Sequence, residues 1–584
     1  MIFRLFLALA LLLAAAPAAA TPSEDLMQLA DAYWEGNLRF HPRTATNIGD
    51  HRYDALLDDN SPAGREAERA WMQNLLEQVE QIDASALSEN DRVTRTALRF
   101  TLESDLARAA CGMESWNVDP LGGPQVSLFN MPAVQKLGSV QSGKDMVSRW
   151  KAMGPYIDQN TANLRAGLAE GKTAIRKAVE KVIEQINDHE ARPLEEWALL
   201  KPLEEIPETW NEDETETFRA GLTAAVRDGV RPALLRYREF LETELLPHTR
   251  SDDNPGIMHL PGGADCYPNL ILDHTSLQLS AEEIHQIGLA EVERINAEMR
   301  ELGSRVLGTG DLEAMHKRLR EDPAMHFSTR DEVQAKAEEA LARAAAVMPD
   351  WFGILPEAPC VVVRMEPHEE KHSTIAYYQR PAADGSRPGS YYINTYAPET
   401  RPRYEAEALA FHEAIPGHHL QIAIMQERED LPMFRRHGGV TAYVEGWALY
   451  TERLSREMGL YSSDSDLFGM LSFDSWRACR LVVDTGIHAL GWSRQQAIDF
   501  MFANSVLALN NIENEVDRYI AWPGQALAYK LGQREIFRLR DHAKEALGDR
   551  FDIKGFHDAV LAQGAVDLKT LEEIVNRWVE SVRQ

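Results

Sequence analysis

The chain has 584 residues, of which 44% are hydrophobic and 12 are tryptophan, and its formal net charge is −30. This composition supports a large buried core and argues against intrinsic disorder. The negative charge argues against nucleic acid as a partner, because phosphate backbones require a positive protein surface. The length accommodates two large units, so we expect a mainly α protein whose two helical halves flank a deep cleft.

The first 20 residues have the features of a secretory signal peptide. Arg4 supplies the positive charge, residues 5–16 are apolar, and the three alanines that end at Ala20 form a typical cleavage site. The alternative is an uncleaved membrane anchor, but the apolar run is short for a spanning helix. No cysteine follows that run, which argues against lipid attachment there. We therefore expect a periplasmic or secreted protein that is not an integral membrane protein.

Most of the chain has the apolar spacing of α-helices. Residues 24–110 and 140–250 are rich in residues that favour helix, such as Ala, Leu, Glu, Arg and Gln. The segment 252–267 is rich in Pro and Gly and is the best candidate for a boundary. We therefore predict an N-terminal helical region over residues 21–260 and a catalytic region over residues 261–584.

Two helix starts can be placed from their capping residues. Ser280 and Glu283 form a capping box, which predicts a helix that ends near Leu302. A similar start at residues 328–331 predicts a helix that ends near Val347.

A small sheet is predicted between residues 360 and 396, because this stretch is rich in β-branched and aromatic residues. The three predicted strands are residues 360–364, 373–378 and 390–396. If the last strand is an exposed edge, it can pair with an extended peptide, and Tyr392 and Asn394 then contact substrate. The alternative is that its tyrosines only pack against the sheet.

The chain contains four cysteines, Cys111, Cys266, Cys360 and Cys479. An exported protein can oxidise them into two disulfides, although the sequence does not choose the pairing, and buried free thiols are equally compatible. Their wide spacing argues against a zinc site made of cysteine.

His412-Glu413 lies in a helical pattern and is half of the H-E-x-x-H zinc signature. In that signature, two histidines one turn apart bind zinc and the glutamate activates a water molecule. The position four residues after His412 is Pro416, so this sequence does not complete the signature.

Two later histidines, His418 and His419, are candidates for the missing ligand. On an ideal helix His418 is rotated by roughly 120° from His412, and His419 lies about 10 Å further along the axis. Pro416 lacks an N–H group and its ring clashes with the preceding turn, while Gly417 permits unusual backbone angles. A kink at these two residues favours His418 as the ligand, and His419 would then either support the metal ligands from behind or contact substrate.

The third ligand is predicted to be Glu445, a single acidic residue in an apolar helical run. Two histidines, one glutamate and a water molecule form a common catalytic zinc set. Glu452 is the competing acid, but it lies beside Arg453 where the pattern becomes polar. The alternative for Glu445 is a salt bridge within the helical core.

Four segments resemble the bacterial family of unknown function 885. They are HEAIPGHHLQ (412–421), YVEGWALYTE (443–452), LVVDTGIHALGWS (481–493) and RYIAWPGQALAYKLG (518–532). Members of that family are mainly helical and are similar to gluzincin-type zinc metallopeptidases. The resemblance implies His412, His418 and Glu445 as ligands of one zinc ion per chain, and Glu413 as the catalytic acid and base.

These residues predict a zinc metallopeptidase in which Glu413 is the general base. His488, Tyr519 and Tyr529 are candidate donors to the oxyanion. The alternatives are a metal-dependent hydrolase of non-peptide amides or esters, and a binding protein without catalytic activity.

Arg480 and Arg518 are candidates for binding a substrate carboxylate through paired hydrogen bonds. Such an arginine would indicate a carboxypeptidase or dipeptidase, and without it an endopeptidase is equally compatible with the sequence. The expected partner is a peptide or small amide substrate.

Overall fold

The computed structural model describes residues 21–366, 370, 374–382 and 387–584. The predicted signal peptide and the start of the second predicted strand, Ser373, lie outside the described residues. Helices dominate the described part, and the predicted mainly α class with one small sheet is confirmed there. Within these residues, no helix combines the length and the apolar character needed to cross a bilayer. The deep cleft stays a prediction.

The elements before and within the sheet are α1 (Pro22–Phe40), α2 (Pro42–Asn47), α3 (Pro62–Gln81), α4 (Glu89–Ala109), α5 (Pro124–Ser127), α6 (Met131–Val134), α7 (Val140–Ala169), α8 (Arg176–Glu190), α9 (Glu212–Ala224), α10 (Arg231–Phe240), α11 (Gly263–Thr275), α12 (Ala281–Val306), α13 (Leu312–Glu321), α14 (Arg330–Trp351), β1 (Cys360–Arg364), β2 (Ala376–Gln379) and β3 (Gly389–Ile393).

The helices after the sheet are α15 (Ala406–Glu413), α16 (His418–Glu427), α17 (Met433–His437), α18 (Thr441–Glu457), α19 (Leu467–Ala489), α20 (Arg494–Asn504), α21 (Leu509–Ala521), α22 (Ala528–Leu547), α23 (Ile553–Leu561) and α24 (Leu568–Arg583).

The predicted helix starts agree with the structure. Ser280 and Glu283 form the capping box of α12, which continues four residues beyond the predicted end, to Val306. The side chain of Thr329 caps α14, which runs to Trp351 rather than to Val347. Both helices are longer than predicted because their C-terminal turns also pack buried residues into the core.

The sheet has the order β1-β3-β2, with β3 parallel to β1 and antiparallel to β2. The prediction that the last strand is an exposed edge is therefore wrong, because β3 is hydrogen-bonded on both sides and has no main-chain edge left for a peptide. Tyr392 stacks on Tyr377 of β2, with ring centroids 4.8 Å apart. Tyr392 thus packs on the sheet, as the alternative interpretation held.

The helix α19 is the centre of the C-terminal part of the fold. Every residue from Leu467 to His488 is buried, and α12 and α15 pack along it. A second close pair is formed by α18 and α22, where Gly446 faces the main chain of Gly532. A Cβ at Gly446 would lie 2.5 Å from Gly532 Cα, so glycine is required for this approach.

The largest hydrophobic core combines residues from both sides of the predicted boundary at residue 260. It includes Leu38 and Leu98 from the N-terminal helices together with Phe411, Trp447 and Val575. The division into two regions stays a prediction, but the two stretches share this core.

A disulfide joins Cys111, just after α4, to Cys266 in α11, with the two Cα atoms 5.1 Å apart. Cys360 and Cys479 are free thiols. The bridge closes a loop with a sequence separation of 155 residues. Such a crosslink stabilises a fold mainly by restricting the unfolded chain.

Replacing both bridged cysteines in the double variant Cys111→Ser/Cys266→Ser should lower the free energy of unfolding by about 2–4 kcal/mol, because the loop then closes without a crosslink. Urea denaturation of oxidised protein measures the change, and Cys360→Ser is the matched control that leaves the bridge intact. Equal stability of the double variant and the wild type would contradict the prediction.

Candidate metal centre

The helical conformation is interrupted between α15 and α16, at the point where the sequence predicts a kink. The helix α15 ends at Glu413, and α16 begins at His418. Ala414 and Gly417 take non-helical backbone angles, with ψ values of −110° and −129°. Pro416 cannot donate a helical hydrogen bond, so the helix ends before it instead of bending through it.

Gly417 allows the chain to turn back across the last turn of α15. A Cβ at this position would lie 1.9 Å from the carbonyl oxygen of His412 and 2.4 Å from that of Phe411. No side chain fits in that space. The indole Nε1 of Trp447 donates a hydrogen bond to the Pro416 carbonyl at 3.0 Å, which ties the turn to α18.

This turn brings His418 next to His412 and opposite Glu445 of α18. The Nε2 atoms of His412 and His418 lie 3.7 Å and 3.5 Å from Glu445 Oε2. The two rings are almost perpendicular, at 87°, with centroids 4.8 Å apart. Among the described residues, these three form a group whose ligand atoms all lie within 4.8 Å of one another.

The three side chains fit a zinc ion. Zinc–nitrogen and zinc–oxygen bonds are about 2.0–2.2 Å long, so ligands at tetrahedral angles are about 3.3–3.6 Å apart. The spacings of 3.5 Å and 3.7 Å to Glu445 require only small shifts. Two histidines and one glutamate also leave a fourth position open, which is typical of catalytic sites. The same contacts would also form a salt bridge between Glu445 and the two histidines. Metal analysis distinguishes this alternative from a zinc site.

The electrostatics of the group favour an ionised carboxylate. Burial acts to raise the pKa of Glu445, but the contacts with His412 and His418 hold that pKa well below its usual range. Burial acts to lower the pKa of His412, but its contacts with Glu445 and Glu452 outweigh burial and raise that pKa to about 9.

Glu452 contacts His412 from the side opposite Glu445. Its Oε1 lies 2.8 Å from His412 Nδ1, and the carboxylate is buried. A carboxylate on this nitrogen fixes the tautomer that presents Nε2 to a metal. From the sequence, Glu452 was expected only as a competing ligand. The spacing of seven residues from Glu445 already placed both acids on one face of α18.

His419 lies outside the metal group. Its Nε2 contacts the carbonyl of Ala358 at 3.0 Å, and its Nδ1 contacts the hydroxyl of Tyr378 at 2.9 Å. Burial lowers the pKa of His419 to about 4, so the ring is neutral and both nitrogens are used by the protein. In this arrangement His419 links α16 to β2.

Glu413 is the last residue of α15 and is half-buried. Tyr391 of β3 lies within its electrostatic range, and burial together with the charge of Glu413 raises the Tyr391 pKa well above the usual value. Tyr392 was the tyrosine expected to contact substrate, but strand alternation turns Tyr392 to the face of the sheet opposite Tyr391. Asn394 is buried, and its amide donates to the carbonyls of Glu370 and Thr374.

His488 is held by main chain on both sides. Its Nδ1 accepts from the N–H of Ile257 at 3.3 Å, and its Nε2 contacts the carbonyl of Tyr519 at 3.0 Å. Burial lowers the pKa of His488 to about 3. These contacts favour a structural role, because neither nitrogen is left for substrate. The Tyr519 hydroxyl donates to Glu515 at 2.7 Å and is also buried.

The two predicted carboxylate-binding arginines meet at Glu515. The Nη2 atoms of Arg480 and Arg518 lie 3.0 Å and 2.9 Å from its Oε2. Arg518 also donates to Gln525 at 2.8 Å. Tyr529 is within electrostatic range of the metal group. Its pKa is raised first by burial and then by the charge of Glu445.

In the described part of the chain, the helices and the His-Glu group define a mainly α protein with a candidate metal centre. The bacterial protein family of unknown function DUF885 matches residues 42–575. The chain therefore belongs to DUF885. None of the curated proteins matches it.

Two solved structures are similar over nearly the whole chain. The structure of "the putative lipoprotein from Colwellia psychrerythraea" has a TM-score of 0.87 at 27% identity, and covers 96% of this chain and 100% of that one. The structure of "a putative lipoprotein of unknown function from Shewanella oneidensis" has a TM-score of 0.76 at 19% identity, with the same coverage. The second likeness shows the fold alone.

Replacing Glu452 with glutamine should weaken zinc binding by about 10–100-fold, because a neutral amide holds the His412 ring less firmly and makes it less basic. Competition with a chromophoric chelator measures the affinity. Glu457→Gln is the control, since Glu457 lies on the same helix but pairs with Arg540. Unchanged affinity in Glu452→Gln would show that the contact does not support the metal site.

Proposed function

We propose that this protein is an exported zinc-dependent peptidase that hydrolyses peptide bonds. The observation that carries the proposal is the convergence of His412, His418 and Glu445 within 4.8 Å, with Glu413 next to His412 in the chain. His412, His418 and Glu445 would hold the ion, and Glu413 would be the general base.

When bound, zinc supplies a Lewis acid that polarises the scissile carbonyl and lowers the pKa of a bound water toward about 7. Glu413 removes a proton from the attacking water as the water oxygen bonds to the carbonyl carbon. The carbon–nitrogen bond then breaks, and Glu413 returns the proton to the leaving amine. Tyr529 is within electrostatic range of Glu445 and is the candidate donor to the developing oxyanion.

Export is part of the proposal. It is supported by the charged, apolar and alanine-rich stretches of the first 20 residues. The similar structure from Colwellia psychrerythraea, which is 27% identical, is described as a "putative lipoprotein".

Metal analysis tests the ligand set. Wild-type protein should hold close to one zinc per chain, and His418→Ala should lose most of it, because His418 Nε2 faces Glu445. His419→Ala is the matched control and should keep its zinc, since both nitrogens of His419 contact protein groups. The proposal would be overturned by zinc-free wild type, or by zinc loss in His419→Ala alone.

Replacing Glu413 with glutamine should leave zinc content unchanged and lower kcat for peptide hydrolysis by at least about 100-fold, because the amide cannot accept the proton. Peptides, non-peptide amides and esters are assayed in parallel with wild type and with Glu427→Gln, a control whose carboxylate contacts main chain away from the centre. Full activity in Glu413→Gln would rule out this base. Hydrolysis restricted to esters or non-peptide amides would replace the proposed substrate.

A further inference from the structure

The buried helix α19 carries charged residues that require partners. These are Asp474, Arg477, Arg480 and Asp484, all within the buried stretch. A charge removed from water is costly unless a counter-charge or hydrogen bonds replace the lost hydration. The contacts of each side chain therefore show which of these four charges are paired within the protein.

The two aspartates are satisfied by the protein. Asp474 forms ion pairs with Lys530 and with Arg453, the latter at 2.5 Å. Asp484 accepts a hydrogen bond from the Tyr267 hydroxyl at 2.5 Å. These contacts give both acids a structural role.

Arg477 differs from these neighbours. It is 5% exposed, and its Nε and Nη1 are buried without a hydrogen-bond partner in the described part of the chain. Arg149, a buried arginine of the N-terminal helices, shows the usual arrangement. Its Nε and both terminal nitrogens donate hydrogen bonds to protein acceptors. Buried polar groups are rarely left unpaired, so these two nitrogens of Arg477 are available to donate hydrogen bonds to a ligand.

Arg480 adds a further donor one turn away. Two of its nitrogens contact Tyr519 and Glu515, and its buried Nη1 has no partner among the described residues. Its guanidinium lies over Trp476 at 4.5 Å and over Tyr529 at 4.3 Å. These rings fix the orientation of Arg480, so little entropy is lost when it binds a ligand.

Both arginines lie beside the metal centre. α19 packs against α15 and α18, which carry His412 and Glu445. Arg477 is within electrostatic range of Glu445 and Glu452, and its ring neighbour Trp476 is 4.3 Å from its guanidinium. A group bound to these arginines would therefore lie a short distance from the scissile bond.

We propose that Arg477 and Arg480 bind the free C-terminal carboxylate of the substrate, so that the enzyme releases one or two residues from peptide C-termini. This inference rests on the proposed peptidase function. A planar carboxylate matches the unpartnered N–H groups of two adjacent guanidinium ions. The nearby acids Glu445, Glu452 and Glu515 disfavour a doubly charged ligand such as phosphate.

The test compares two forms of one substrate set. Zinc-loaded protein is incubated with N-acetylated tetrapeptides of randomised sequence, once as free acids and once as C-terminal carboxamides. Mass spectrometry gives the cleavage position and the rates. The acids should be cut near the C-terminus with a kcat/KM at least about 100-fold higher than the amides, because the amide leaves buried donors unpaired.

Arginine variants test whether the preference for free acids over carboxamides depends on Arg477. Arg477→Gln should reduce the acid-to-amide ratio to below about 10 while zinc content and thermal stability stay near the wild-type values, since Arg477 makes no hydrogen bond or ion pair to a described residue and the glutamine keeps part of its packing on Trp476. Arg540→Gln is the matched control, because Arg540 is buried but paired with Glu457. It should keep the full ratio.

Binding separates a failure of this subsite from a failure of the peptidase proposal. Calorimetry with zinc-loaded Glu413→Gln compares acetyl-alanyl-alanine with its carboxamide, without any need for turnover. Tighter binding of the acid that is lost in the additional Arg477→Gln variant supports the subsite, even if wild type hydrolyses no peptide. Equal binding of acid and amide, or internal cleavage of both at equal rates, overturns the subsite and leaves the peptidase proposal standing.

Discussion

The candidate site depends on one backbone constraint, the turn between α15 and α16. In a continuous helix His412 and His418 would point in different directions, and no single ion could contact both. Pro416 ends the helix, and Gly417 leaves room for the chain beside the His412 carbonyl. The hydrogen bond from Trp447 then fixes this turn against the helix that carries Glu445. Ligand spacing is therefore set by backbone geometry rather than by flexible side chains.

The charges around the centre are arranged in layers. Glu445 faces both imidazoles, Glu452 holds the far nitrogen of His412, and Arg477 lies within range of both acids. This order lets positive and negative groups stabilise one another in a region that excludes water. It also places the candidate metal ligands on α15, α16 and α18 and the two arginines on α19.

Much of the architecture could be predicted because helix starts and strands depend on residues that are close together in the sequence. The capping box at Ser280 correctly predicted the start of a helix, and the β-rich runs near residue 360 correctly predicted strands. The order of strands could not be predicted, since pairing of β3 with both neighbours depends on long-range packing. At the site, the ligand types followed from residue chemistry. The unpartnered state of Arg477 could not, because it depends on contacts from several distant helices.

The shared core has a consequence for how the molecule assembles. Leu38 and Leu98 pack in the same core as Val575, near the other end of the chain. During synthesis the first helices must wait for the last ones before their apolar faces are covered. Their exposed surfaces are open to wrong associations during that interval. Early formation of the Cys111–Cys266 disulfide would hold α4 against α11. It would thereby reduce the number of chain conformations that remain to be sampled before the core forms.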